Sequence, residues 1–111
     1  MIKVCSPKCF DLLRKEIMQC ARPYLPKGTR VKFTKFKYDA KVNESGFAER
    51  KSDNSYLIGI ASGMSEWYTT TMIIHEIAHV MHMSNGDEGP MHGATYWKWH
   101  GKLYCDYIGE E

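Results

Sequence analysis

Residues 69–84 read as a single helix. Ile73, Ile74, Ile77, Ala78, Val80 and Met81 fall on more than one side of its 3.6-residue repeat. A helix apolar on several sides must be covered on several sides. It therefore lies centrally, and the rest of the chain wraps around it. Asn85-Gly86 supplies a stop. The same run contains His75-Glu76-Ile77-Ala78-His79, so two imidazoles and a carboxylate ride on the most constrained element. With 111 residues available, the wrapping amounts to one domain, 1–111.

The flanking segments supply the wrapping. Ser6-Pro7 is a helix entrance, with Ser as N-cap and Pro at the first position. Phe10, Leu12, Leu13, Ile17 and Cys20 follow at helical spacing, and Pro23 and Pro26 end the helix near Cys20–Arg22. From Arg30 to Tyr38 the pattern alternates. Its parity flips between Phe33 and Phe36, which implies a bulge or tight turn near Thr34-Lys35. A second strand is expected around Ala40–Val42, a turn at Asn43–Gly46 and a polar loop over Arg50–Ser55. Tyr56–Ile60 reads as a short, well-buried strand, broken by Ala61-Ser62-Gly63. After a loop at Asp87–Met91, a last helix spans Gly93–Tyr107 with Tyr96, Trp97, Leu103 and Tyr104 inward. The expected fold class is α+β: an N-terminal helix, a small antiparallel or mixed sheet of about three strands, the H-E-x-x-H helix and a C-terminal helix, together a minimal zincin-like domain.

Composition narrows the classes. A hydrophobic share of 43% with 25% charged residues is globular and argues against disorder. No apolar run approaches the roughly 18 residues of a membrane span, and the N-terminus shows no secretory apolar core. A cytoplasmic or nucleoid-associated place, not secreted, is the expectation, with Cys5, Cys9, Cys20 and Cys105 as reduced thiols. Cys5 and Cys9, four apart, offer at best half a metal site. The net charge of +2 hides an asymmetry: residues 1–51 hold 13 Lys+Arg against 5 Asp+Glu, net +8, and residues 52–111 hold 2 against 8, net −6. The chain thus divides into a basic helix-and-strand half and an acidic half that carries His75-Glu76-x-x-His79.

His75 and His79 lie one turn apart on one helix face, where both can bind one ion. Glu76 is rotated about 100° from His75, so it can sit beside the metal as a general base without ligating it. Zinc would bring a bound water to a pKa of about 7. A chance i, i+4 pair competes with this reading in a chain with five histidines. A third ligand is required. His82 lies about 10 Å along the axis from His75, too far to share the ion, and reads as a group behind the ligands or on the surface. His100 is inside the last helix. His92 follows a Gly/Pro-bearing loop that can fold back, and is the best third ligand. Two other zincin layouts fit badly. One needs Gly at 82 and His at 85, where His82 and Asn85 stand, and the other needs a Glu near Trp99.

His75-Glu76-x-x-His79, twelve residues, then His92-Gly93-Ala94-Thr95-Tyr96-Trp97 resembles the SprT-like (Spartan-type) metalloprotease domain. The resemblance implies one catalytic Zn2+ on His75, His79 and His92, Glu76 as general base and a peptide bond as target. Spartan-type proteases cleave proteins attached to DNA and are stimulated by DNA. Thr95 stands where many relatives carry an acidic residue, and Met91 where a Gly is common.

Seven cations between Arg22 and Lys41 are opposed only by Asp39, with Phe33, Phe36 and Tyr38 interleaved. Phosphate neutralisation plus stacking would make Arg30, Lys32, Lys35 and Lys37 candidate DNA contacts. The competing reading is a solvated sheet face over ordinary core aromatics. Tyr96, His82 and His100 are candidates for stabilising the oxyanion or for supporting the ligands from behind. Tyr56–Ile60 is the candidate edge for a protein or peptide substrate added as a strand. The expected function is a zinc-dependent endopeptidase. The alternative is a non-catalytic zinc-containing nucleic-acid-binding or protein-interaction module, and the intact Glu76 favours the enzyme.

Overall fold

The computed structural model describes residues 3–42, 44–87 and 89–109. They form α1 (Pro7–Ala21), a 3-10 turn (Arg22–Tyr24), β1 (Arg30–Lys37), β2 (Gly46–Ser52), β3 (Ser55–Ser62), α2 (Glu66–Ser84) and α3 (Ala94–Ile108). The class is α+β with a mixed sheet. Strand order is β1-β3-β2, with β1 parallel and β2 antiparallel to β3. No helix among the described residues is long and apolar enough to cross a membrane.

The helix starts follow their caps. Ser6 Oγ accepts from Cys9 N at 3.0 Å, and Ser65 Oγ accepts from Tyr68 N at 3.1 Å. The Ser65 cap starts α2 at Glu66, three residues before the expected Thr69. Ile73, Ile74, Ile77, Ala78, Val80 and Met81 are all fully buried, as a central helix requires. One face of the sheet, carrying Tyr56, Ile58 and Ile60, packs in one cluster with Ile73, Ile74, Ile77, Val80 and Met81 and with Phe10, Ile17 and Leu103 from the other helices. That cluster makes α2 a rigid platform: large-to-small changes in such a core cost about 2–5 kcal/mol each.

The sheet departs from the sequence reading in four ways. First, β1 runs unbroken with no bulge at Thr34-Lys35. Val31 and Phe33 pair with Tyr56 and Ile58 on the helix-facing side. Phe36 points to the other face and stacks on Phe47 of β2, ring centroids 5.9 Å apart. The parity flip is therefore two apolar faces, not a slip. The Phe47 ring lies over Gly59, its partner on β3; a Cβ there would come within 2.1 Å of Phe47. Second, Ala40–Val42 is a turn, and the second strand is Gly46–Ser52. The expected turn at Asn43–Gly46 includes Asn43, which lies outside the described residues. Third, the loop expected over Arg50–Ser55 shrinks to a turn at Asp53-Asn54. Arg50–Ser52 completes β2 with a register shift, and β3 begins at Ser55. Arg50 gives no apolar strand signal because it is polar and exposed; its guanidinium lies over the Tyr56 ring and donates to Tyr56 Oη and Met83 O at 2.9 Å each. Fourth, Tyr56–Ile60 is not an edge. It is the central strand, paired on both sides. Of the expected inward residues of α3, Tyr96 and Leu103 are fully buried, whereas Trp97 is 47% exposed.

Candidate metal centre

His75 and His79 project from successive turns of α2, their ring centroids 5.1 Å apart. The chain after Asn85 brings back the third imidazole. Asn85 Nδ2 donates to Met81 O and to Tyr24 O at 2.8 and 2.9 Å, which fixes where the chain leaves α2. Trp99 Nε1 donates to the Asp87 carboxylate and ties the outgoing chain to α3. Gly93 N donates to Pro90 O at 2.9 Å in a turn so close that a Cβ on Gly93 would come within 2.8 Å of the Pro90 ring. His92 stands just before it with φ 63°, a left-handed conformation rare for a residue with a side chain. Backbone in that region is often strained where a side chain must be aimed.

His92 Nε2 lies 3.0 Å from His75 Nε2 and 3.0 Å from His79 Nε2. One ligand atom from each of the three lies within 4.8 Å of the others, and this is the one such group of three or more His, Cys, Asp or Glu among the described residues. Three imidazole nitrogens aimed at one point have too few protons to satisfy one another. A shared cation resolves that arrangement, so the three residues fit a tri-histidine metal site.

Burial, with the neighbouring His92 and His100, holds His75 below the ordinary imidazole range. Burial does the same more strongly to His79, with the surrounding imidazoles adding to it, and takes it to about 4. Both are therefore neutral and able to ligate at pH 7. Glu76 is only 4% exposed; burial, helped by Glu44, pushes its carboxyl up to about 7. Its proton is then exchangeable near neutrality, where a general base is most effective.

The remaining candidates separate. Tyr96 is fully buried, and its hydroxyl donates to His75 O at 2.8 Å. Its ring packs 4.3 Å from that of His79. It braces the ligand helix, and its hydroxyl already serves the backbone. His82 is 3% exposed rather than on the surface. Neither of its ring nitrogens has a partner among the described residues. His100 lies with its ring 5.0 Å from that of Trp97 and 6.4 Å from that of His75, and burial lowers its pKa.

A cleft of about 280 Å³ opens over the three histidines and Glu76, with Gly46, Phe47 and Ala48 of β2 on one side and Met91 on the other. A larger depression, about 660 Å³, lies between α1 and β1, where none of these residues reaches. Chemistry and not size identifies the candidate site. The sequence reading missed Gly46. A Cβ there would stand 3.1 Å from Glu76 Oε2 and 3.0 Å from Met72 and Gly59 O. A glycine in a strand can mark such a close approach, but Gly46 opens β2 where a turn was expected, so the signal was hidden with the strand. Asp87 and Trp99 were missed too, and nothing in their spacing pairs them.

The four cations of β1 do not share one surface. Arg30 and Lys32 alternate with Val31 and Phe33, while Lys35 has the helix-facing parity and lies with Nζ 5.0 Å from the centre of the Phe10 ring. Lys37 shares the parity of Lys35. All four cysteines are free. Compared with known proteins, the chain matches no family model, no curated protein and no solved structure.

Proposed function

We propose that this chain is a zinc-dependent endopeptidase. The observation that carries the reading is the convergence of three imidazole Nε2 atoms beside a buried carboxylate held near neutrality, in a cleft flanked by a strand edge. His75, His79 and His92 would hold the ion, and imidazole donors with an open side suit zinc. When bound, zinc supplies Lewis-acid polarisation of a carbonyl and makes water acidic enough to yield hydroxide near pH 7. Glu76 takes the proton from the attacking water and delivers it to the leaving amine, so that no free amide anion forms. Tyr96 keeps His75 and His79 in place by bracing their helix. The substrate strand belongs on β2, not on Tyr56–Ile60: among the described residues β2 pairs only with β3, and its open edge starts at the cleft. By the resemblance given above, proteins carried on DNA are the substrates to try first, with and without DNA. Free cysteines accord with a cytoplasmic place.

The test is cleavage of an unstructured protein by the zinc-loaded chain and by Glu76→Gln. The expected result is cleavage by the first, and zinc retained with cleavage lost in the second. Zinc bound without Glu76-dependent cleavage would support the non-catalytic module instead.

A further inference from the structure

The second edge of the sheet has a composition and a neighbour of its own. Among the described residues β1 pairs only with β3, so one row of its N–H and C=O groups is left over. That open edge borders the 660 Å³ depression against α1. Its floor is Phe10, Val31 and Phe33, and its rim is Arg14, Lys32 and Lys35. It continues along α1 as a further 340 Å³ toward Met18 and Arg22. β1 carries four cations in eight residues and no carboxylate. None of Arg30, Lys32, Lys35 and Lys37 has an ion-pair partner among the described residues, whereas Arg14 pairs with Asp11.

We infer that the β1 edge is a docking site for an extended acidic segment of a partner protein, added to the sheet as a fourth strand. The three components of the surface each select a part of this occupant. Unpaired main-chain groups select a peptide backbone in the extended state. The apolar floor lies on the parity of Val31 and Phe33, so it takes alternate apolar side chains. Arg30 and Lys32 have the opposite parity, so the intervening side chains are Asp or Glu. The segment preferred thus alternates acidic and apolar residues opposite Arg30–Phe33; farther along, Lys35 and Lys37 take the helix-facing parity, so acidic side chains belong on that face there. A second copy of this chain is a poor occupant, because pairing β1 with itself sets cations beside cations. A nucleic acid would use the charges but neither the strand edge nor the two-residue alternation. Edge lysines also serve simply to keep strands from pairing, but that role requires no apolar groove beside them. The site lies at the opposite edge of the sheet from the metal cleft, so the inference does not depend on the peptidase reading.

The experiment is fluorescence anisotropy on the full chain with a labelled peptide of alternating Glu and Val. The comparison ligands are the same peptide N-methylated at alternate amides and a single-stranded oligothymidine. Expected are saturable binding that weakens as salt rises, loss of binding on N-methylation, and a loss of about tenfold or more in Arg30→Glu/Lys32→Glu. Both substituted residues are exposed, and an unchanged melting temperature checks that the variant is folded. Amide exchange should slow in β1 and not in β2 when the peptide is bound. Equal binding of the N-methylated peptide would overturn the inference in favour of charge alone. Tighter oligothymidine binding that displaces the peptide would overturn it in favour of a nucleic acid. No peptide binding at low salt would leave the lysines as edge protection only and also overturn it.

Discussion

The two open edges of one three-stranded sheet make a natural comparison. Both flank β3, and both rest on the same core of Tyr56, Ile58, Ile60 and α2. They differ in what lies beyond the last strand. Beyond β2 lies the cleft with three imidazoles and a carboxylate held near neutrality. Beyond β1 lies an apolar groove rimmed by cations. A strand edge by itself offers a peptide only main-chain hydrogen bonds. The side chains of the neighbouring helix decide whether the edge can hold a peptide for chemistry or merely hold it.

The sharpest break between the edges should come from Glu76→Gln. Cleavage should fall by about 10²–10⁴-fold, measured as initial rate at saturating zinc, with acidic-peptide binding at β1 unchanged. Loss of both would mean that the edges are not independent.

A pH experiment on the zinc-free chain comes next. The Glu76 carboxyl is raised from 4.5 to about 7 in the folded state. The stability it contributes is full below about pH 4.5 and is lost as pH rises through 7. His79 is lowered from 6.5 to about 4, so its contribution is full above 6.5 and lost as pH falls toward 4. Glu76→Gln removes only the first effect. It should stabilise the zinc-free chain at pH 8 by on the order of 3 kcal/mol and by almost nothing at pH 4.5, read from urea unfolding midpoints. An equal gain at both pH values would contradict the buried, proton-holding carboxyl.

Gly46→Ala tests the β2 edge with a smaller perturbation. The added methyl meets Glu76 Oε2, Met72 and the Gly59 carbonyl at 3.0–3.1 Å. Overpacking there should cost about 1–3 kcal/mol in thermal unfolding and lower cleavage, with β1 binding intact. The smallest effect belongs to Arg30→Glu/Lys32→Glu. Stability should stay within about 0.5 kcal/mol, and cleavage of a short neutral peptide should be unaltered. A fall in that cleavage would bring β1 into the catalytic cleft and remove the distinction between the edges.

The helices were readable because their ends are local. Ser6-Pro7 starts α1 by capping chemistry alone, and the apolar run of α2 needs no partner to be recognised. His75 and His79 share a helix face by spacing, and the Gly/Pro loop marked His92 as the residue able to return to them. β2 was not readable. Gly46–Ser52 is mostly polar, and its exposed Arg50 finds acceptors in the Tyr56 hydroxyl and the Met83 carbonyl that no sequence pattern announces. The flip in β1 misled for a related reason. One apolar face was assumed, whereas Phe36 finds its partner in Phe47 across a glycine of the strand between them. The Asp87–Trp99 tie that holds the His92 segment joins residues twelve apart with no pattern linking them.

The most direct measurement of the central claim is zinc content per chain after equilibrium dialysis, for the natural sequence and for His92→Ala. The account predicts one tightly held ion per chain, with affinity falling by more than about a hundredfold in the variant. No bound zinc, or equal affinity in the two proteins, would contradict it.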